Sequence, residues 1–237
     1  MANDLLTRAR RTLAAAGDPA RARTAQAYMK SSMPYHGIAA APFRKLAKEL
    51  LADQAFTTAE AWQRDVLAVW RPARFREERY LAIALAGDRR AAEFRTPAAL
   101  PMYEELITTG AWWDYVDDLA AHQVGPMLDT HPRPMRHAML TWSRSPDMWK
   151  ARTSIICQVL RKDRTDLEML YACIEPSIAS REFFLRKAIG WALRAYAWRD
   201  PAEIVRYVRE NDARLSGLSK REALINVEGR RKSSRAR

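Results

Sequence analysis

Apolar residues recur every three or four positions along almost the whole chain, which is the spacing of one face of an α-helix. Alternating β-branched runs are missing, as are the Asn-Gly and Asp-Gly pairs that form tight hairpins. The sequence therefore predicts an all-α fold. The predicted helices cover residues 3–16, 20–30, 42–52, 58–70, 74–86, 98–109, 112–122, 133–143, 147–160, 166–175, 182–198, 201–210 and 219–227.

Three of these helices begin with a capping-box pattern, in which a side-chain oxygen precedes an acidic residue by three positions. The pairs are Thr57 with Glu60, Asp200 with Glu203, and Ser219 with Glu222. In each pair, the first residue is the predicted N-cap of its helix.

Similar helical segments recur along the chain, at 76–85, 149–158 and 184–193, each with a charged start and a small or aliphatic face. The charged residues in similar places are Arg79, Asp117, Arg152 and Arg186. Similar helices that recur at a regular spacing along the chain are typical of stacked helix pairs, in which each unit buries its face against its neighbours. The pattern favours a curved solenoid with a concave face over the alternative, a plain helical bundle with coincidental spacing.

The chain of 237 residues is long enough for one sizeable core, so we expect a single domain over 1–229. The last segment, RRKSSRAR at 230–237, is predicted to be a basic disordered tail, either an electrostatic anchor or simply solvated. The formal net charge is +12, and the body stays positive without the tail. Clustered cations favour a polyanionic partner, although a solvated basic surface is the alternative.

Several classes of protein are excluded by what the sequence lacks. Cys157 and Cys173 are too few for a disulfide framework, and no secretory pattern precedes the first helix, so a reducing cytoplasm is expected. The longest apolar run, at 81–86, is far shorter than the about 20 residues that cross a bilayer. Glycine spacing excludes phosphate loops and dinucleotide motifs, and histidine spacing indicates no metal site. We expect no cofactor.

Adjacent tryptophans in AWWDYVDDLA fall on different faces of one predicted helix. Trp112 shares an apolar stripe with Val116 and Leu119, which predicts a core position. Trp113 shares its face with Asp117, and an aromatic ring beside a carboxylate on a non-core stripe is typical of a binding surface. A helix-packing edge is the alternative for Trp113.

A second helix alternates cations with indoles. The residues, spaced as one helical stripe, are Lys187, Trp191, Arg194 and Trp198. Indoles stack on sugars or bases and cations meet phosphates, so this stripe indicates nucleic-acid binding, with ordinary surface cation–π packing as the alternative.

Arg152 interrupts an otherwise apolar stripe of its predicted helix. A buried guanidinium without a partner is costly. Arg152 is therefore expected either to pair with an acid such as Asp117 or to face an anion across an open groove.

Over roughly residues 24–227 the chain resembles the AlkD-like DNA glycosylases of the DNA alkylation repair family. The resemblance rests on YMKSSMPYHGI (28–38), WWDYVDDLAAHQVG (112–125), MWKARTSIICQVL (148–160), EFFLRKAIGWALRAY (182–196) and LSKREAL (218–224). It implies a curved solenoid of HEAT-like antiparallel helical pairs whose concave face binds duplex DNA. It also implies a monomeric, nucleoid-associated enzyme that hydrolyses the N-glycosidic bond of N3- or N7-alkylated purines, without base flipping.

The resemblance assigns roles to individual residues. Trp113 and Trp191 would contact the deoxyribose of the damaged nucleotide, and Asp117 would lie near its anomeric carbon. Asp118 lies about 100° round the predicted helix from Asp117, which distinguishes the two. Asp114 is only about 60° from Asp117, and the family motif selects Asp117 of these two. Residues expected to bind DNA are Arg152, Tyr28, Arg44, Lys187 and Arg194. After Gly37 and Ile38 the family usually has polar residues, whereas this chain has three alanines at 39–41.

An alkylated N3 or N7 purine is already cationic and departs as a neutral base, so no general acid is needed. Positive charge develops on the sugar in the transition state. A carboxylate about 4 Å away is worth about 4 kcal/mol, or about a thousandfold in rate. The leading alternative is a catalytically silent HEAT-like module that binds bent or branched DNA, and a third possibility is a protein-binding scaffold.

Overall fold

The computed structural model describes the backbone of residues 2–235 and the side chains of residues 4–225 and 227. Within these residues the chain is helical and contains no strand, which confirms the all-α prediction. It forms two compact units, Met1–Met102 and Tyr103–Arg237. A single domain over 1–229 and a HEAT-like curvature stay predictions. Across the described part of the chain, no helix combines the length and apolar character that a membrane span requires.

Every predicted helix is present. The α-helices are α1 (Ala2–Ala15), α2 (Pro19–Met29), α3 (Ala40–Leu50), α4 (Ala59–Trp70), α5 (Arg76–Ala86), α6 (Leu100–Gly110), α7 (Trp113–Asp118), α8 (Gly125–Thr130), α9 (Pro132–Trp142), α10 (Met148–Ile156), α11 (Leu167–Ile174), α12 (Phe183–Tyr196), α13 (Pro201–Glu210) and α14 (Gly217–Arg235). The side chains of the predicted tail, 230–237, lie outside the described residues, and so does the backbone of 236–237. The disorder of this tail therefore stays a prediction.

Helix starts follow the expected chemistry, although two caps are displaced. The Asp200 carboxylate accepts an amide hydrogen from the first turn of α13, as predicted. In place of Thr57 and Ser219, however, the chain uses Thr58 and Ser216. Both stretches offer neighbouring hydroxyls, and tertiary packing decides which hydroxyl lies at the first free amide.

The helix predicted over 112–122 differs most from the structure. Trp112 has an extended backbone and is the N-cap of α7 rather than a helical residue. After α7 the helix continues through a π-helical segment, Leu119–Val124, directly into α8. Gly125 and Pro126 oppose a helix locally, because glycine is flexible and proline lacks an amide hydrogen. Gly125 instead permits close packing, since a Cβ there would lie 2.1 Å from the carbonyl oxygen of Cys157.

Four helices form a series in the second unit, in which α7 packs against α10, α10 against α12, and α12 against α14. Leu185, Ile189 and Ala192 of α12 are buried. They join Ile155 of α10 and Ala223 of α14 in one hydrophobic cluster. Each fully buried aliphatic side chain contributes about 2 kcal/mol, so this cluster fixes the spacing of the helices that carry the candidate site.

A buried carboxylate organises the first unit around the YHGI segment. Glu77 accepts amide hydrogens from His36, Gly37 and Ile38 at 2.9, 2.8 and 3.3 Å. Gly37 has a φ of +86°, and a Cβ there would lie 2.2 Å from the carbonyl oxygen of Asp18. The motif that contains Tyr28 therefore ends in a loop that depends on Glu77 and on this glycine.

Candidate functional site

Asp117 on α7 and Arg152 on α10 form a two-pronged ion pair. The Arg152 Nε donates to Asp117 Oδ1 at 2.7 Å, and its Nη2 donates to Oδ2 at 2.8 Å. The remaining nitrogen, Nη1, donates to the carbonyl oxygen of Phe184 at 2.6 Å. Of the two partners expected for Arg152, the structure thus shows the acid. A bidentate pair fixes the plane of the carboxylate as well as its position.

Asp117 is shielded from solvent but not enclosed. Its side chain is 18% exposed, whereas that of Arg152 is 5% exposed. Burial raises the pKa of the Asp117 carboxyl above its ordinary value and nearby Asp114 adds to the rise, while the hydrogen bonds from Arg152 oppose it. The carboxylate therefore lies in surroundings where its electric field is less screened than at an exposed surface.

The aromatic residues around this pair have different surroundings. Trp112 lies at 5.6 Å from Phe184 and 6.3 Å from Trp149, measured between ring centroids. It is half-buried rather than fully in the core. The Phe184 ring also lies 5.9 Å from the Arg152 guanidinium. Trp113, the first residue of α7, is half-buried, so its indole keeps an accessible surface.

The two cations of the α12 stripe share one carboxylate. Glu222 on α14 accepts from Lys187 Nζ at 2.8 Å and from Arg194 Nη1 at 2.7 Å, one through each oxygen. Trp191 lies between these cations along the helix and is half-buried. Gly190 lets Glu222 approach, because a Cβ on Gly190 would lie 2.4 Å from the Glu222 Cβ.

Sequence reasoning missed this role of Glu222. Its hydrogen bond to Lys187 is the main reason that the pKa of Glu222 is lowered, so the carboxylate stays charged. The pattern Ser219-x-x-Glu222 was interpreted as a local cap, but the Ser219 hydroxyl donates to the carbonyl oxygen of Arg186 at 3.0 Å. Both residues of that pattern contact α12, and the Ser219 hydroxyl also lies 2.8 Å from the hydroxyl of Ser216, the cap of α14.

Two of the predicted site residues lie in the first unit. Tyr28 on α2 is 77% exposed, and Arg44 on α3 is also exposed. The other predicted site residues lie in the second unit, where the structure brings Asp117 next to Arg152 and joins Lys187 to Arg194. Among the described residues, no group of three His, Cys, Asp or Glu side chains is arranged to hold a metal ion.

Comparison with known proteins covers both units. The sequence profile of a family described as DNA alkylation repair enzyme matches residues 9–227. Among solved structures, the chain is similar to one described as a "Predicted DNA alkylation repair enzyme from Enterococcus faecalis", with a TM-score of 0.80 and 26% sequence identity. That match covers 88% of this chain and 95% of the other. No curated protein sequence matches the chain.

Proposed function

The chain belongs to the family of DNA alkylation repair enzymes, and we propose that it is a monofunctional DNA glycosylase. Its proposed substrates are cationic N3- and N7-alkylated purines in duplex DNA, such as 3-methyladenine and 7-methylguanine. The observation that carries this proposal is the Asp117 carboxylate, which is oriented by Arg152 and still 18% exposed. Because the carboxylate is partly exposed, it can contact a bound molecule without a rearrangement of the protein.

The proposed reaction depends on the charge of the carboxylate rather than on proton donation. The alkylated base leaves as a neutral molecule, and the sugar becomes positive as the glycosidic bond breaks. A fixed negative charge lowers the energy of that transition state more than it lowers the energy of the ground state. Asp117 supplies the charge and can also orient the attacking water.

Arg152 has a positioning role in this proposal. Its three hydrogen bonds, to Asp117 and to the Phe184 carbonyl, leave the guanidinium fully engaged within the protein. Replacing one of these partners with a DNA phosphate would break a buried interaction. Direct contact of Arg152 with the DNA backbone therefore stays a prediction, and its support for the Asp117 carboxylate is the part that the geometry favours.

DNA binding is proposed for residues of α7 and α12 in the second unit and, separately, for two residues of the first unit. Trp113 and Trp191 are proposed to contact the cationic sugar, since an aromatic face attracts positive charge. Lys187 and Arg194 are proposed to approach the phosphates from either side of Trp191. Tyr28 and Arg44 are proposed to extend the contact, because both are exposed.

Selectivity in this proposal comes from the lesion. If the enzyme engages sugar and backbone while the base stays in the duplex, a cationic base departs readily and a neutral one does not. Bulky alkyl groups on N7 are then tolerated, because no pocket has to enclose the base. Neutral lesions such as uracil are expected to remain intact.

The test is release of 7-methylguanine from a defined DNA duplex, measured as strand cleavage at the abasic product after mild alkali. A matched duplex with uracil in place of the lesion is the substrate control. Release from the first duplex and not from the second supports the proposal. The second candidate, a catalytically silent DNA-binding module, is favoured by the pairing of Asp117 with Arg152, which also suits a structural ion pair. That candidate predicts binding to both duplexes without release from either.

A further inference from the structure

We propose that a cavity at the C-terminal end of α12 binds one unpaired nucleotide of the DNA. The cavity has a volume of about 380 Å³, which lies in the range of small-molecule sites. The side chains that matter for the argument are Leu160, Lys162, Trp191, Arg194, Trp198 and Arg199. The inference rests on the proposed function for DNA as the partner and for the placement of the lesion next to Trp191.

An aromatic surface is the first requirement for holding a nucleobase. Trp198 is 61% exposed and Leu160 is 50% exposed, although both are large apolar residues. Trp198 lies in the turn after α12, two residues beyond the end of the helix at Tyr196, and it lines the cavity together with Trp191. A nucleobase stacks on an indole regardless of its sequence, because every base has an aromatic face.

Positive charge is the second requirement. Lys162, Arg194 and Arg199 line the cavity, whereas Asp163 is the acidic residue among the described ones that line it. Arg194 is paired with Glu222. Within the part of the chain that the structure describes, Lys162 and Arg199 have no ion-pair partner. These two cations are placed for the phosphate of a nucleotide whose base contacts Trp198.

The wall of the cavity is held in place by the segment after α10. Its Lys162 has a φ of +53°, a conformation that residues other than glycine seldom adopt. Arg161 is anchored to Asp129 at 2.8 Å. Gln158 makes two hydrogen bonds to the backbone of Asp166, at 3.0 and 2.8 Å. Because the segment is fixed on both sides of Lys162, the cavity exists before a ligand enters, which reduces the entropy lost on binding.

The nucleotide in the cavity is inferred to be unpaired, because its base must stack on an indole while its phosphate contacts the cations. A base within a duplex has its faces covered by its stacked neighbours, so an indole cannot reach them without separating the stack. Trp191 lines the cavity and is also proposed to contact the sugar of the lesion. The bound nucleotide would therefore come from the DNA next to the lesion rather than from the lesion itself.

The experiment uses the full chain and two undamaged, fluorescein-labelled duplexes that differ by one unpaired deoxyadenosine. Binding is measured by fluorescence anisotropy at fixed salt. We expect the parent to bind the bulged duplex about tenfold more tightly, since stacking of one base on an aromatic side chain supports a gain of that size. Trp198→Ala should remove this preference, and Trp198→Phe should retain most of it because the ring remains.

Charge variants distinguish binding of a nucleotide in the cavity from general electrostatic attraction to DNA. Arg199→Ala should reduce the preference for the bulge. Arg209→Ala is the matched control, because Arg209 is an exposed arginine on α13 outside the cavity and the variant has the same net charge. It should keep the preference of the parent. Circular dichroism melting confirms that each variant is folded.

Two results would overturn the inference: a parent that binds both duplexes equally, or a Trp198→Ala variant that keeps the full preference. Because the DNA is undamaged, the result does not depend on base release. A protein that prefers the bulge but releases no 7-methylguanine would support the cavity and refute the proposed glycosylase. The reverse combination would refute the cavity alone.

Discussion

Replacing Asp117 with asparagine removes one negative charge and leaves the side-chain volume almost unchanged. A carboxylate about 4 Å from the sugar stabilises its positive charge by about 4 kcal/mol at an effective dielectric constant of about 20. The Arg152 guanidinium is bound to the carboxylate at 2.7 and 2.8 Å. With Arg152 behind the carboxylate, about 8 Å from the sugar, the guanidinium opposes the stabilisation by about 2 kcal/mol. That contribution is present in the parent and in the variant, so it cancels when their rates are compared.

The expected loss of rate follows from the contribution of Asp117 alone. Removing about 4 kcal/mol of stabilisation predicts base release about a thousandfold slower in Asp117→Asn. Single-turnover release of 7-methylguanine measures the chemical step, and anisotropy measures DNA affinity. Affinity should not fall, because the variant removes a negative charge near the phosphates. A variant that releases base at the rate of the parent would refute the role of Asp117.

A matched variant controls for the loss of an ion pair. In Asp117→Asn the buried Arg152 loses its charged partner, which by itself destabilises the folded protein by several kcal/mol. Asp129 on α8 pairs with Arg161 at 2.8 Å and with Arg164 at 2.5 Å. Asp129→Asn therefore removes another aspartate–arginine pair away from the proposed catalytic carboxylate, and it should lower the melting temperature without slowing base release.

Three further predictions concern pH, salt and packing. Burial raises the pKa of Asp117, and the reaction needs its carboxylate in the charged form. Base release should therefore fall as the pH decreases through this raised pKa, which lies above the pKa of an exposed aspartate. A rate that stays constant down to about pH 4 would contradict this. Glu222→Gln removes the carboxylate that pairs with Lys187 and Arg194. A plot of log Kd against log salt concentration should then steepen by about 0.9 for each additional phosphate that the protein neutralises, and an unchanged slope would argue against binding of these cations to DNA. Gly190→Ala places a Cβ 2.4 Å from the Glu222 Cβ and should cost about 1–3 kcal/mol of unfolding free energy, seen as a lower melting temperature. Gly217→Ala is its control, since the nearest atom would be an arginine nitrogen at 3.4 Å.

The helices could be predicted from the sequence because their information is local. Apolar spacing marks the buried face of each helix, and a cap such as Asp200 marks where a helix begins. The continuation of α7 into α8 could not be predicted in the same way. Gly125 and Pro126 oppose a helix locally, whereas the structure uses Gly125 to pack closely against Cys157, which lies far along the sequence. Tertiary packing outweighs the local preference at that point.

In the candidate site, too, one contact could be predicted from the sequence and another could not. An acid such as Asp117 was foreseen as a partner for Arg152, because an arginine on an apolar stripe needs a counter-charge if it is buried. No such argument applied to Lys187 and Arg194, which were expected to bind DNA or to take part in cation–π packing at the surface. Their shared partner, Glu222, is 35 and 28 residues away. Such a contact can be seen only when α12 and α14 are already packed together.

The pairing of these cations changes how the proposed DNA site would operate. A free lysine or arginine loses up to about 2 kcal/mol of side-chain entropy when a phosphate fixes it. Glu222 already holds Lys187 and Arg194 on either side of Trp191, so much of that loss occurs when the protein folds. The three charged groups together carry one net positive charge, so a phosphate that enters must compete with Glu222. Binding through this cluster is therefore less favourable than two free cations would make it, but it is better oriented. In a glycosylase that relies on the lability of the lesion, accurate placement of the sugar next to Asp117 contributes more to the rate than tight binding of undamaged DNA.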